Sequence, residues 1–223
     1  MSHQGREVFS RIARRYDLLN RVLSLGREQA WRRRGAQHLP PGRVLDLGSG
    51  TGSALPVFGE RRVVAIDPVP EMLALSPIAA RVVGVRERLP FPDEAFDGVF
   101  SAFVLRNLTS ISETLAEVQR VIRPGGAAVV VDLARPRDAA ARWAHRLGTG
   151  VVLPVAGWAI GARREYWYLH RSLDALPPPE ELFRHPLLEV ELLWRMGPLG
   201  FVYGAVLRKR RPAYPISTLE RAV

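Results

Sequence analysis

Residues Val44 to Gly52 read "VLDLGSGTG", a short apolar run that breaks into glycine at alternate positions. A run of that length ending in glycine predicts a buried strand whose chain turns sharply into a helix. Gly48, Gly50 and Gly52 let the main chain approach a ligand closely, and the segment that follows offers free N–H groups. The next apolar run, "RVVAID" (62–67), ends in Asp67 followed by Pro68. A carboxylate about 20 residues beyond a glycine loop is placed to accept both hydroxyls of a ribose.

Further short β-branched runs lie outward from this pair, at "ARVVGV" (80–85), "FDGVFSAFVL" (96–105) and "AAVVVDL" (127–133). Between them "ISETLAEVQRVI" (111–122) has the period of an amphipathic helix and stops at "RPGG", which predicts a turn; "VPEMLALS" (69–76) is a weaker helix. Continuous apolar strands alternating with helices predict an α/β fold, a parallel sheet covered on both faces. Such sheets bind ligands at the carboxyl ends of their strands. Before the glycine loop, Val8, Ile12, Tyr16, Leu19 and Leu23 recur at helical spacing. A break is expected at Ser24 to Gly26, and a second helix running on to Pro40-Pro41. After the last β-branched run, 137–187 reads as helices packed over the strand ends, and 187–197 with 200–210 as a closing strand pair. The reading is therefore one domain: a helical cap (1–41), a core (42–136), a helical lid (137–187), closing strands (188–210) and a poorly ordered tail (211–223).

The chain has 223 residues, 47% of them hydrophobic and 24% charged, enough for one sizeable core. It has no cysteine, which excludes disulfides, thiolate metal sites and a cysteine nucleophile. The five histidines are scattered without metal-ligand spacing, so no metal is expected. The formal charge is +10, carried by arginine except at Lys209. That excess fits attraction to nucleic acid or anionic lipid, and equally a compositional bias with no ligand. The longest apolar stretch, Gly148 to Gly161, is too short to span a bilayer and contains Pro154. No secretory signal is legible at the start, so the expected location is cytoplasmic.

A dinucleotide fingerprint would place glycine or alanine at residue 53, where the chain has serine. Here the pattern is Asp-x-Gly-x-Gly-x-Gly, with Asp46 two residues before the first glycine. A carboxylate there repels a pyrophosphate and suits a ligand with positive charge, which favours S-adenosylmethionine over NAD; Asp46 as a loop brace stays open.

With these residues in place, the sequence resembles the class I S-adenosylmethionine-dependent methyltransferases, and most closely the menaquinone/ubiquinone biosynthesis C-methyltransferase family. The likeness rests on "VFSRIARRYDLLNRVLSLGREQAWRR" (8–33), "VLDLGSGTG" (44–52), "ERLPFPDEAFD" (87–97), "LRNL" (105–108), "EVQRVIRPGG" (117–126) and "VLPVAG" (152–157). It implies a Rossmann-like sheet of about seven strands with the last one antiparallel. It also implies Gly48, Gly50 and Thr51 around the methionine part of the cofactor, Asp67 on the ribose and Val85-Arg86 beside the adenine. Ala102 and Phe103 would lie near the sulfonium, and Tyr16 would close over the site. The family ordinarily has a carboxylate or amide at the place of Val85 and glycine at that of Val104.

Arg106 and Asn107, at the mouth of the fourth strand, are implied to act on the acceptor. A quinol carbon becomes nucleophilic as its neighbouring hydroxyl ionises, and a cation with an amide donor stabilises that oxygen. The bland alternative makes Asn107 or Thr109 a helix cap and pairs Arg106 with a carboxylate. A prenylated quinol would bring the enzyme to the inner membrane face, with the basic lid in peripheral contact. A self-packed lid or a homodimer contact fits the lid equally well. The alternative acceptor is a soluble small molecule. Nucleic acid is not expected, since the fourth strand lacks a [DN]PP[YFW] element.

Overall fold

A computed structural model of the chain describes residues 10, 13, 16–159, 174, 176–186 and 188–209; at 16, 19, 22, 23 and 152–159 it describes the backbone alone. The expectations for 160–173 of the lid and for the tail lie outside these residues.

Ahead of the sheet lie the helices α1 (Tyr16–Leu23) and α2 (Glu28–Ala36). They break where expected, with Leu25 and Gly26 in the left-handed region (φ 52° and 74°). The strands are β1 (Arg43–Leu47), β2 (Arg62–Asp67), β3 (Ala80–Val83), β4 (Phe96–Ala102), β5 (Ile122–Leu133), β6 (Leu188–Met196) and β7 (Val202–Lys209). Between them lie α3 (Pro70–Leu73), α4 (Ile111–Val121), α5 (Ala139–Ala159) and α6 (Pro179–Leu182).

The strands form one seven-stranded sheet in the order β3-β2-β1-β4-β5-β7-β6. The first five run parallel, and β7 is antiparallel to both β5 and β6. Alternation along the strands feeds two cores. Leu45, Leu47, Val99, Ala128 and Val130 pack with Leu115, Val118 and Val121 of α4. Val44, Phe100, Val129 and Val131 pack on the other face with Trp31 and Ala36 of α2. A Cβ on Gly35 would stand 2.5 Å from Val131 Cγ2, so glycine there lets α2 lie directly on β5. Strand order reverses between β1 and β4, and their carboxyl ends diverge into a crevice.

Several boundaries differ from the sequence reading: β3 ends at Val83 rather than 85, and α3 covers Pro70–Leu73 rather than 69–76. β4 stops at Ala102 rather than 105, because Phe103 adopts φ 63° and turns the chain out of the ladder. The expected "RPGG" turn lies inside β5, as a register shift between the pairs Phe96↔Ile122 and Gly98↔Ala127. Gly125 takes φ 80° there, and Lys209 Nζ donates to the Ile122 carbonyl (2.7 Å), closing β7 over the irregularity. The second helix ends at Ala36, short of Pro40.

A candidate cofactor and acceptor site at the strand ends

The crevice holds a cavity of about 40 Å³ lined by Asp46, Gly48, Ser49 and Gly50 from the end of β1 and its loop, and by Asp67 from β2. Val69, Met72, Arg86, Ala102, Phe103, Val104 and Asn107 close it from β2 to β4, and Arg32 enters from α2.

The glycine loop is built from backbone conformations that L side chains avoid: φ is 75° at Gly48, 56° at Gly50 and 76° at Gly52. A Cβ on Gly48 would stand 2.6 Å from Val104 Cγ2 and 2.9 Å from Arg86 Nε, so the bare backbone itself forms the wall. Asp67 braces the loop. Its Oδ2 accepts from the Gly50 N–H (3.1 Å) and its Oδ1 from the Val69 N–H (2.9 Å). Arg86 Nη2 also donates to Oδ2 (3.2 Å), and both side chains of this pair are buried. Asp46 is fully enclosed and its Oδ2 has no hydrogen-bond partner among the described residues. Burial pushes its carboxyl up to about 7, against the pull of the Ser49 hydroxyl and the Arg32 guanidinium; Asp67 adds to the rise.

The left-handed Phe103 delivers the other wall. It is a non-glycine residue held where its conformation is unfavourable. Its N–H donates to the Val131 carbonyl (2.8 Å), Trp31 packs edge-on to its ring (6.5 Å) and Arg32 lies over it (5.1 Å). The turn swings Leu105–Asn107 into a single 3-10 turn over the cavity. Asn107 lines the cavity, whereas Arg106 points away from it, toward Asp132 (3.7 Å). Asp132 is buried and raised by that burial, and it accepts from the Leu105 and Leu133 N–H groups (2.7 Å each). Among the described residues Arg106 Nη1 has no hydrogen-bond partner, and neither has the buried Tyr203 hydroxyl. The cap of α4 is Ser110, whose hydroxyl accepts from the Glu113 N–H (3.2 Å). Neither Asn107 nor Thr109 does that work, while Arg106 does have its carboxylate.

The structure thus gathers Asp46, Gly48, Gly50, Asp67, Arg86, Ala102, Phe103 and Asn107 around one cavity. Pro68 is buried beside it without lining it, and Val85 is 41% exposed. Thr51 faces a neighbouring groove, where its hydroxyl donates to Asp17 of α1 (2.7 Å). Tyr16 opens α1, one residue before Asp17; its side chain is outside the described residues. Gln29 of α2 donates to the Ser53 carbonyl (2.8 Å), so both N-terminal helices are tied to the glycine loop. Sequence reading missed Arg32, which is 3% exposed. Its signal was an arginine on the same helical face as Trp31, Gly35 and Ala36.

These groups fit S-adenosylmethionine. The glycine cradle would be filled by any Cβ, an unpartnered buried carboxylate oxygen suits a cationic ligand, and Asp67 suits a ribose. One group fits less simply: Arg86 already stands on Asp67.

The sequence profile of the ubiE/COQ5 methyltransferase family matches residues 2–188. A demethylmenaquinone methyltransferase of Thermus thermophilus is 41% identical over 191 residues, 78% of this chain and 87% of its own length. A ubiquinone/menaquinone biosynthesis C-methyltransferase UbiE of Geobacter sulfurreducens is 37% identical over 194 residues, covering 79% and 76%. Among solved structures, a SAM-dependent methyltransferase from Thermotoga maritima superposes with a TM-score of 0.61 over 92% of this chain and 99% of its own, at 18% identity, a likeness of fold. With the glycine cradle, the β2 carboxylate and the Leu105–Asn107 turn all at the strand ends that this fold uses for binding, the chain belongs to the ubiE/COQ5 methyltransferase family.

Proposed function

We propose that the protein methylates a ring carbon of a prenylated quinol in menaquinone biosynthesis, with S-adenosylmethionine as donor. The observation that carries the reading is the adjacency of the glycine cradle and Asn107 across one cavity, in a chain whose relatives bear the names given above. When bound, the cofactor supplies an electrophilic methyl on a sulfonium and a neutral thioether leaving group. Gly48, Gly50 and Asp46 hold its amino-acid end and Asp67 its ribose. Asn107 presents its amide to the acceptor oxygen and orients the ring. Arg106 holds the Leu105–Asn107 turn through Asp132 and contributes positive potential from behind it. Tyr16 is carried toward the same edge by α1. Incubation with labelled donor and a panel of reduced demethylated naphthoquinols and benzoquinols tests the reading. Label on a naphthoquinol ring carbon is expected, and label on none of the panel rejects it.

A second reading, a soluble small-molecule acceptor, is favoured by Val104. Its side chain narrows the cavity beside Gly48. Methylation of short-chain or unprenylated rings in preference to long-chain ones would support it.

Asp46 makes donor affinity depend on pH. Its folded pKa lies above its ordinary 3.8, so its contribution to stability is complete below that value and is lost as pH climbs through about 7. The ionised form attracts a cationic donor. Affinity should therefore rise about tenfold between pH 6 and pH 8, measured by calorimetry, and the rise should vanish in Asp46→Asn.

A prenylated acceptor resides in a bilayer, so the enzyme works at its surface. No helix among the described residues is long and apolar enough to cross a membrane. On α5, Trp143, Leu147 and Val151 form an exposed stripe at four-residue spacing, with the exposed Arg142 and Arg146 along its edge. Trp143→Ala combined with Leu147→Asp should weaken cosedimentation with anionic vesicles by at least about tenfold. Unchanged cosedimentation would remove this contact, and concentration-dependent self-association lost in the double variant would make the stripe a homodimer surface.

A further inference from the structure

Asp67 has about four lone-pair sites to offer hydrogen-bond donors. Three are engaged: two by the Gly50 and Val69 N–H groups and one by Arg86. A ribose brings two hydroxyls. The two backbone bonds are fixed by the glycine loop and the start of α3, so only the arginine can leave. Space leads to the same conclusion. The guanidinium lies across the glycine loop, with Nε and Nη2 2.9 and 3.0 Å from where a Gly48 Cβ would be, and the cavity it lines has room for only about 40 Å³. Arg86 is 5% exposed, and its Nε has no hydrogen-bond partner among the described residues, so it is held there by the ion pair and by packing alone.

We infer that Arg86 is a built-in competitor for the cofactor's place: its guanidinium occupies the ribose carboxylate until it swings out, and so sets how tightly and how fast the cofactor binds. This rests on the cofactor reading above. The observed affinity of a site that must first open is the intrinsic affinity reduced by the open fraction. Deleting the competitor removes that reduction. The arginine is also chemically suited to the role, because its charge is permanent and its partner is a buried carboxylate that needs a donor whenever the site is closed.

The test is calorimetry and stopped-flow binding of S-adenosylhomocysteine to the full chain and to Arg86→Ala and Arg86→Gln. The glutamine variant keeps most of the volume in case the alanine variant folds poorly. Both should bind at least about fivefold tighter than the parent chain. The observed rate should level off with ligand concentration in the parent chain, where opening comes first, and stay linear in the variants. Equal or weaker binding by both variants overturns the inference and leaves the cofactor assignment standing. Binding by no form overturns both.

Discussion

Arg106→Ala is expected to lower kcat by at least about a hundredfold while leaving the affinity for S-adenosylhomocysteine within about threefold. The asymmetry follows from geometry, since Asn107 lines the cavity and Arg106 does not. Arg106 meets Asp132, and the same carboxylate accepts the Leu105 N–H that starts the 3-10 turn. On the proposed roles, removing the cation frees the turn and lets Asn107 drift from its place in the cavity wall, while the glycine cradle and Asp67 stay in place. A stability loss of about 3–5 kcal/mol should accompany it, because a buried carboxylate loses its partner. Asp132, already raised by burial, can trim that loss by taking up a proton. Turnover is therefore compared at a temperature where circular dichroism shows the variant folded, and Arg106→Lys serves as the charge-conserving control. Full turnover in a folded Arg106→Ala would reduce the residue to a brace.

The second large effect is at Asp67. Asp67→Asn should weaken cofactor binding about 10- to 100-fold, the ~1.5–3 kcal/mol of a hydrogen bond to a charged group. The amide keeps one acceptor oxygen for the backbone and cannot serve a ribose as well. The change also releases Arg86, whose only described ion pair is with this carboxylate. The two substitutions should therefore be non-additive, and the double variant with Arg86→Ala should bind more weakly than Arg86→Ala alone. Binding by Asp67→Asn equal to that of the parent chain would place the ribose elsewhere.

The sequence made the glycine-loop side of the cavity legible and the β4 side much less so. Glycines at alternate positions and a carboxylate ending the next strand encode backbone chemistry that few other residues can supply, and they lie where the spacing placed them. The end of β4 carries no such mark. Nothing in "SAFVLRN" announces that a phenylalanine takes a left-handed conformation, because burial and the Val131 carbonyl impose it from outside the stretch. Arg32 was hidden for a related reason: a run of three arginines looks solvated, and only packing against β5 decides which one turns inward. Val85 and Arg86 are a further case that the sequence does not separate. Val85 sits next to the cavity in sequence, yet the chain at the end of β3 turns its side chain outward and sends Arg86 in.

Anyone retuning this enzyme toward a different acceptor meets Phe103 first. One ring serves as chamber wall and as the hook for Trp31 and Arg32, on a backbone that glycine would fit with less effort. Phe103→Gly would widen the chamber and loosen the N-terminal helices in the same step, so broader scope and weaker closure would arrive together. Val104, which lines the cavity beside Gly48, is the better first position to diversify.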